Sequence, residues 1–193
     1  MTSLCQTLVN HHTYPSVLIT VVLTFRLKFL EICMGRITKN QREDNFASYN
    51  ALILDIFLNE GWDHVTYDRL SKETGLRKST LQGYYPSNAD FEVAIKGKVF
   101  PIILQHLDFT SKTLLLESWK KAMKVTQFKM IMRMFVMQAH KKGSEGSGRL
   151  GVLGLAKYIS DRLPTEDPLE IIQLLFGLTV TELLNIDRSH MPT

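Results

Sequence analysis

The feature that most constrains this fold is a pair of short helical segments on either side of Gly75. Thr66 is a good N-cap for the first segment, at about 67–73. The second segment runs over about 77–84 and is stopped by Pro86. Gly75 tolerates the positive φ that a tight turn between two helices requires. The sequence therefore predicts two short helices joined by a sharp turn.

Leucines hold this pair together in the predicted arrangement. Leu70, Leu76 and Leu81 are spaced to pack the two short helices against the preceding segment. A longer helix followed by two short ones has the outline of a helix-turn-helix, whose second helix enters the major groove of DNA. The residues that this packing leaves facing outward are Arg77, Lys78, Ser79, Gln82 and Tyr84.

The rest of the chain from residue 34 is also patterned for helices. Thr38 and Gln41 have capping-box spacing, and Gly61 is placed as a left-handed C-cap for that first helix. Ser87 begins a fourth helix, and Pro101 predicts a kink or break near 97–101. Further helices are expected at about 111–123, 126–141, 148–162 and 167–185, with a flexible loop at 143–148. No strand pattern follows residue 34, so the predicted fold is all-α.

Composition excludes several classes of protein. Cys5 and Cys33 are too few for a disulfide framework or a zinc site. The uncharged run 17–25 is shorter than the roughly 20 apolar residues of a membrane-spanning helix. The histidines lack neighbours at metal-ligand spacing, and there is no nucleophile triad, P-loop or dinucleotide-binding motif. The sequence therefore predicts no enzyme activity, no metal, no cofactor and no membrane partner.

The first 33 residues do not continue the helical pattern. A basic segment that looks like the start of a protein begins at Met34. We hypothesise that 1–33 is upstream sequence read through by a misplaced start; the alternative is a genuine N-terminal extension. The predicted organisation is then 1–33, a helix-turn-helix domain at 34–97, and a helical domain at 98–193.

The segment 61–87 resembles the DNA-binding domain of the TetR family of transcriptional regulators. The matching positions are Gly61, Trp62, Val65, Thr66, Leu70, Gly75, Leu76, Thr80, Leu81, Tyr84, Tyr85, Pro86 and Ser87. The resemblance implies an N-terminal three-helix DNA-binding domain and a C-terminal helical domain for dimerisation and ligand binding. The chain departs from the family pattern at Arg77, Gln82 and Asn88, which suggests a different operator.

The resemblance also implies which residues contact double-stranded DNA. Thr66 and Tyr84 would bond phosphates, Lys78 would reach guanine, and Gln82 would make a bidentate contact to adenine. Arg77 would suit either base, and Ser79 faces the same way. A basic arm would lie near the DNA backbone or minor groove; its residues are Arg36, Lys39 and Arg42.

A homodimer is predicted from the last two helices. The helix at about 167–185 is apolar nearly all round, so one face needs a partner. The helix before it has glycines three residues apart, which allow close approach of another backbone. The predicted two-fold interface contains Gly151, Gly154, Tyr158, Ile172, Leu175, Phe176 and Leu183.

A small hydrophobic effector is the other predicted partner. Five of the eight methionines lie within 123–137, and methionine adapts to irregular apolar ligands, although it is also common core filler. The expected pocket residues are Phe100, Leu104, Trp119, Met123, Phe128, Met132, Phe135 and Tyr158. A ligand there would tilt the segment around 97–101 and change the separation of the two recognition helices.

The function expected from these features is that of a cytoplasmic, bacterial, homodimeric repressor released from a palindromic operator by its effector. The alternative is a TetR-like factor controlled by a protein partner, or a global or architectural DNA-binding protein without a small ligand. Net charge does not decide this, because residues 34–97 hold 8 basic and 9 acidic residues. The prediction depends on the register of 61–87.

Overall fold

The structure, a computed structural model, describes residues 37–139, 147–186 and 188–190. In this part of the chain all regular structure is helical and no strand is present, which confirms the all-α prediction. The chain divides into two compact units, 1–42 and 43–193. The expected boundary at 97/98 stays a prediction.

Helix α1, Lys39–Glu60, begins with the capping box that the sequence predicts. The backbone N–H of Gln41 donates to Thr38 Oγ1 at 3.2 Å, and that of Thr38 donates to Gln41 Oε1 at 3.0 Å. Further along the helix the side chains of Ile53, Ile56 and Phe57 are buried. Their three- and four-residue spacing puts them on one buried face of the helix.

The turn after α1 differs from the prediction in its backbone. Gly61 has φ 100° and ψ 166°, a conformation open essentially to glycine alone, instead of the left-handed helical one. A short 3₁₀ helix, Trp62–His64, follows. The indole of Trp62 meets the buried ring of Phe57 edge to face, with the centroids 5.6 Å apart.

Helices α2, Tyr67–Thr74, and α3, Lys78–Gln82, form the predicted pair. Thr66 Oγ1 accepts a hydrogen bond from the N–H of Arg69, and Gly75 is left-handed with φ 70°. Helix α3 is shorter than the predicted 77–84, since both Tyr84 and Tyr85 donate their N–H to the carbonyl of Leu81 in a tight turn.

The segment after α3 is a 3₁₀ helix, Asn88–Ala94, where the sequence led us to expect a longer helix. Residues three apart lie in one row of a 3₁₀ helix, so Phe91 and Ala94 both face the core. The predicted break occurs at Gly97, which has φ 75°. Helix α4, Val99–Leu104, starts anew, so Pro101 lies in a first turn and needs no internal hydrogen bond.

Four longer helices complete the chain: α5, Lys112–Ala122; α6, Thr126–Gln138; α7, Ser147–Arg162; and α8, Pro168–Leu183. A 3₁₀ turn, Arg188–His190, follows. Helix α8 packs against α5, α6 and α7, and α4 packs against α6. Asp167 caps α8 and Pro168 occupies its first position, as predicted. None of the helices in the described ranges is long and apolar enough to cross a membrane.

Candidate nucleic-acid interface and C-terminal core

The α2–α3 pair has one buried face and one exposed face. Leu70 of α2 and Leu81 of α3 are completely buried, so these leucines form the core-facing side of the pair. The residues that sequence analysis assigned to DNA reading lie on the exposed side, namely Arg77, Lys78, Ser79 and Gln82. Arg77 is the N-cap of α3; its side chain is exposed and makes no capping hydrogen bond, because a guanidinium has no acceptor.

An ion pair links the starts of the two helices. Lys78 Nζ lies 2.5 Å from Asp68 Oδ1, and both side chains are exposed. The sequence motif did not single out Asp68, because an acidic residue in the first turn of a helix is ordinary. The lysine predicted to reach guanine is therefore held by a carboxylate in the structure.

Tyr84 lies at the edge of an aromatic cluster. Its ring packs edge to face on Tyr49, 5.1 Å between centroids, and stacks on Phe46. Asn45 Nδ2 donates to Tyr84 Oη at 3.4 Å. Burial, followed by the proximity of Tyr84, raises the pKa of Tyr49 to about 12. The phenol predicted to bond phosphate is thus oriented from α1, and Asn45 is a contact that sequence analysis missed.

Two further tyrosines fix the end of α3. The hydroxyl of Tyr67, the first residue of α2, donates to the carbonyl oxygen of Tyr85. The buried Tyr85 hydroxyl in turn donates to Asn50 Oδ1 of α1 at 2.8 Å, and burial raises the pKa of Tyr85. These bonds close a chain from α2 through the end of α3 to α1. In the sequence, only the hydroxyl at position 67 pointed to this chain of hydrogen bonds.

Arg69 ties α2 to the end of α1. Its guanidinium lies 2.6 Å from Glu60 Oε1 and also pairs with Glu73, one turn along α2. The hydrogen bond from Arg69 lowers the pKa of Glu60 below its ordinary value of 4.5. This arginine forms its ion pairs within the chain, so its position suits it to holding the α2–α3 pair in place.

The predicted basic arm is described only in part. Arg36 lies outside the described residues. Lys39 and Arg42 are exposed in the first turns of α1. Their role against DNA stays a prediction.

The residues predicted to line one effector pocket do not share one cavity. Phe100, Trp119, Met132 and Phe135 surround a void of only about 10 Å³. A void of that size has room for about one water molecule. Met123 and Phe128 are buried in the core beside it. Trp119 is fixed by a hydrogen bond from its Nε1 to Thr179 Oγ1 at 3.0 Å. This interior is filled by its own side chains.

The other two predicted residues, Leu104 and Tyr158, line an open groove of about 660 Å³. The Tyr158 ring packs edge to face on Phe109 at 4.8 Å, and the guanidinium of Arg162 lies 5.0 Å above that ring. Asp108 is on the same groove, where hydrogen bonds from Thr110 lower its pKa. The groove combines aromatic walls with one exposed cation and one carboxylate.

His106 is the polar group in this region without an evident partner. Its Nε2 is buried, and no hydrogen bond to it is found among the described residues. The imidazole packs edge to face on Phe128 with centroids 6.0 Å apart. In the described part of the chain no cluster of His, Cys, Asp and Glu could hold a metal ion.

The predicted dimer residues face mostly into their own chain. A side-chain carbon on Gly151 would lie 3.0 Å from the Phe135 ring, and one on Gly154 would lie 3.8 Å from Phe100. Ile172 and Leu175 are buried, and Phe176 lines the small void. Tyr158 packs in the groove, and Leu183 is half-buried. The large apolar residues that stay exposed on α7, on α8 and at the C-cap of α8 are Leu150, Leu153, Leu169, Leu174, Val180 and Leu184.

The C-terminal part of the chain matches a described family. Residues 96–183 match the model of the tetracycline repressor LuxT C-terminal domain. A search of curated proteins found no match. The matched segment begins just before Gly97 and ends with α8, so it contains the groove, the filled core and the exposed leucines other than Leu184.

Proposed function

Because this chain belongs to the TetR family of transcriptional regulators, we propose that it is a homodimeric repressor that binds a palindromic DNA operator. The family match points to a regulator and away from an enzyme. We further propose that a small hydrophobic effector releases the repressor from its operator.

The observation that carries the proposal is the arrangement of α2 and α3 about the left-handed Gly75. Complete burial of Leu70 and Leu81 leaves the outer side of α3 to polar residues. In the proposed complex Gln82 bonds the N6/N7 edge of adenine and Lys78, released from Asp68, bonds guanine O6/N7. Arg77 and Ser79 lie beside them. Thr66 and Tyr84 bond the flanking phosphates, and the arm of Arg36, Lys39 and Arg42 follows the backbone.

The proposed dimer uses the apolar surface that the chain leaves exposed on α7 and α8. Leu150 and Leu153 are 65 % and 52 % exposed, and Leu174 on α8 is 41 % exposed. Leucines in such a row are typical of an interface between copies of a protein. The glycine row of α7 allows Phe135 and Phe100 to approach inside each copy, which presents the leucines outward.

The proposed effector site is the groove beside Leu104 and Tyr158. The groove is open to solvent and could admit a ligand from outside, whereas the interior void of about 10 Å³ has room for about one water molecule. The aromatic walls of Phe109 and Tyr158 suit an apolar body, and Arg162 suits an anionic group.

The filled interior favours a second candidate function. With no cavity among Phe100, Trp119 and Met132 larger than one water, a protein partner is the alternative source of control. Lys120, Lys121 and Lys129 are exposed on α5 and α6, where an acidic partner would dock. Calorimetric titration with small amphipathic anions separates the two candidates. Binding to wild type that is lost in Arg162→Ala supports control by a small effector. No binding to wild type supports control by a protein partner.

DNA reading is tested by selecting duplexes from a randomised library with the full chain and measuring their affinity. Gln82→Ala is expected to cost about 1–3 kcal/mol on the selected duplex and to relax one base position, with little effect on a scrambled duplex. Gln127→Ala, an exposed glutamine on α6, is the matched control. Equal losses on selected and scrambled DNA would contradict the role of Gln82, and the absence of any selected sequence would contradict the function.

A further inference from the structure

The turn between α1 and α2 is held by a helix that lies far away in sequence. Gly61 is buried, and a side-chain carbon on it would lie 3.3 Å from Met130 Sδ of α6. Two residues later Asp63 Oδ2 accepts a hydrogen bond from Arg133 Nη2 at 3.0 Å. Met130 and Arg133 are three apart, so they lie on one face of α6.

The opposite face of α6 belongs to the C-terminal core. At about 100° per residue, Phe128 and Phe135 point roughly opposite to Met130 and Arg133. Phe128 is completely buried against Trp119, and Phe135 packs on Gly151 of α7. Helix α6 therefore touches the filled core on one side and the turn 61–63 on the other.

The residue that sets the direction of this turn is Gly61, which has no side chain. Gly61 has the φ 100°, ψ 166° conformation, in which other residues are strained, and Met130 fills the space where a side chain would stand. The turn leads within a few residues to Thr66, the N-cap of α2. A displacement of the turn consequently displaces α2 and, through the tight turn at Gly75, α3.

We propose that Arg133 is a positioning residue for the DNA-reading pair, acting through Asp63, with Met130 as the apolar part of the same contact. The part of the proposal that concerns DNA rests on the proposed function. The positioning of the turn does not.

The first test needs no DNA. Amide hydrogen exchange of the full chain is compared for wild type, Arg133→Gln and Asp63→Asn. Exchange over 61–70 is expected to rise about 1.5- to 5-fold in both variants, the range for losing an exposed ion pair. Lys129→Gln, an exposed cation on the same helix, is the control and is expected to change nothing there. Unchanged exchange over 61–70 in both variants would overturn the proposal.

The second test measures affinity for a duplex selected from a random library by the wild-type chain. The two substitutions change the net charge in opposite directions, so a general electrostatic effect would weaken one variant and strengthen the other. A positioning role weakens both, by about 1.5- to 5-fold, and the charge exchange Asp63→Arg with Arg133→Asp recovers part of the loss. Opposite signs, or no recovery, would overturn the role of the pair in DNA reading.

The two tests also separate this inference from the proposed function. If exchange over 61–70 rises but the wild-type chain selects no duplex, the positioning of the turn stands and the DNA-binding function fails. If the chain selects a duplex whose affinity is the same in all variants, the function stands and the role of Arg133 in it is overturned.

Discussion

Gly177 provides the sharpest test of the proposed dimer. It lies in the middle of α8 and is exposed; apart from the adjacent backbone of its own helix, no atom of the described residues lies within 4 Å of the place where a side-chain carbon would stand. Its exposed neighbours on α8 are Leu174, Val180 and Leu184. A glycine in a helix interior destabilises the helix, and no contact among the residues that the structure describes explains one here. Close approach of a partner helix would explain it.

The substitution Gly177→Ala has two opposite expected effects. Within one chain, alanine stabilises the helix by about 1 kcal/mol, which raises the melting temperature of a protein this size by about 2–4 °C. Across a two-fold interface two added methyl groups meet packed side chains, and each costs about 1–3 kcal/mol. The dimer is then weaker by about 2–6 kcal/mol, which is roughly 30-fold or more in its dissociation constant.

Sedimentation velocity over a dilution series measures the dimer, and thermal unfolding at the most dilute point measures the chain alone. We expect Gly177→Ala to dissociate at concentrations where wild type remains dimeric, while the dilute chain melts higher. Glu117→Ala, exposed on α5, is the control and should leave association unchanged. A more stable chain with an unaltered dissociation constant would show that the Gly177 face is not covered, and our reasoning on the interface would be refuted.

Two predictions concern stability. Thr179→Val removes the acceptor of the buried Trp119 N–H, so urea unfolding should show a loss of about 1–3 kcal/mol; an unchanged unfolding free energy would contradict this. Because the hydrogen bond from Arg69 lowers the pKa of folded Glu60 from 4.5, the contribution of this pair is present above that pH and is lost as pH falls through the folded pKa. Melting temperatures of Glu60→Gln should therefore depend less steeply on pH in the acid range than those of wild type; identical slopes would contradict this.

The parts of the fold that were predictable are those set by residues close in sequence. The Thr38 capping box, the Thr66 cap, the left-handed Gly75 and the Asp167 cap each depend on atoms within about four residues. Local hydrogen bonds of this kind appear in the sequence as fixed spacings. The helix ends at these places were correctly predicted.

The parts that were not predictable depend on contacts distant in sequence. The backbone of Gly61 is packed by Met130, and the turn beside it is paired with Arg133. The spacing of glycines on α7 led us to expect a partner's backbone there, but the sequence does not reveal what approaches. Phe135 of the same chain fills that role at Gly151. One sequence pattern therefore fits an internal contact and an interface equally well.

The charges of the α2–α3 pair explain why the dimer is expected to be essential to DNA binding. In the described part of this pair, Arg69 is held by Glu60 and Glu73, and Lys78 is held by Asp68. Over 67–82 the four cations Arg69, Lys72, Arg77 and Lys78 stand against Asp68 and Glu73, so the net charge is only +2 and the nonspecific attraction to phosphate that it supplies is small. A single copy gains the contacts of one half-site, whose base readers lie on or next to the five-residue helix α3, so two half-sites must be occupied together for tight binding. Weakening the dimer at Gly177 should accordingly weaken operator binding even though that residue lies on α8 and no base contact is altered.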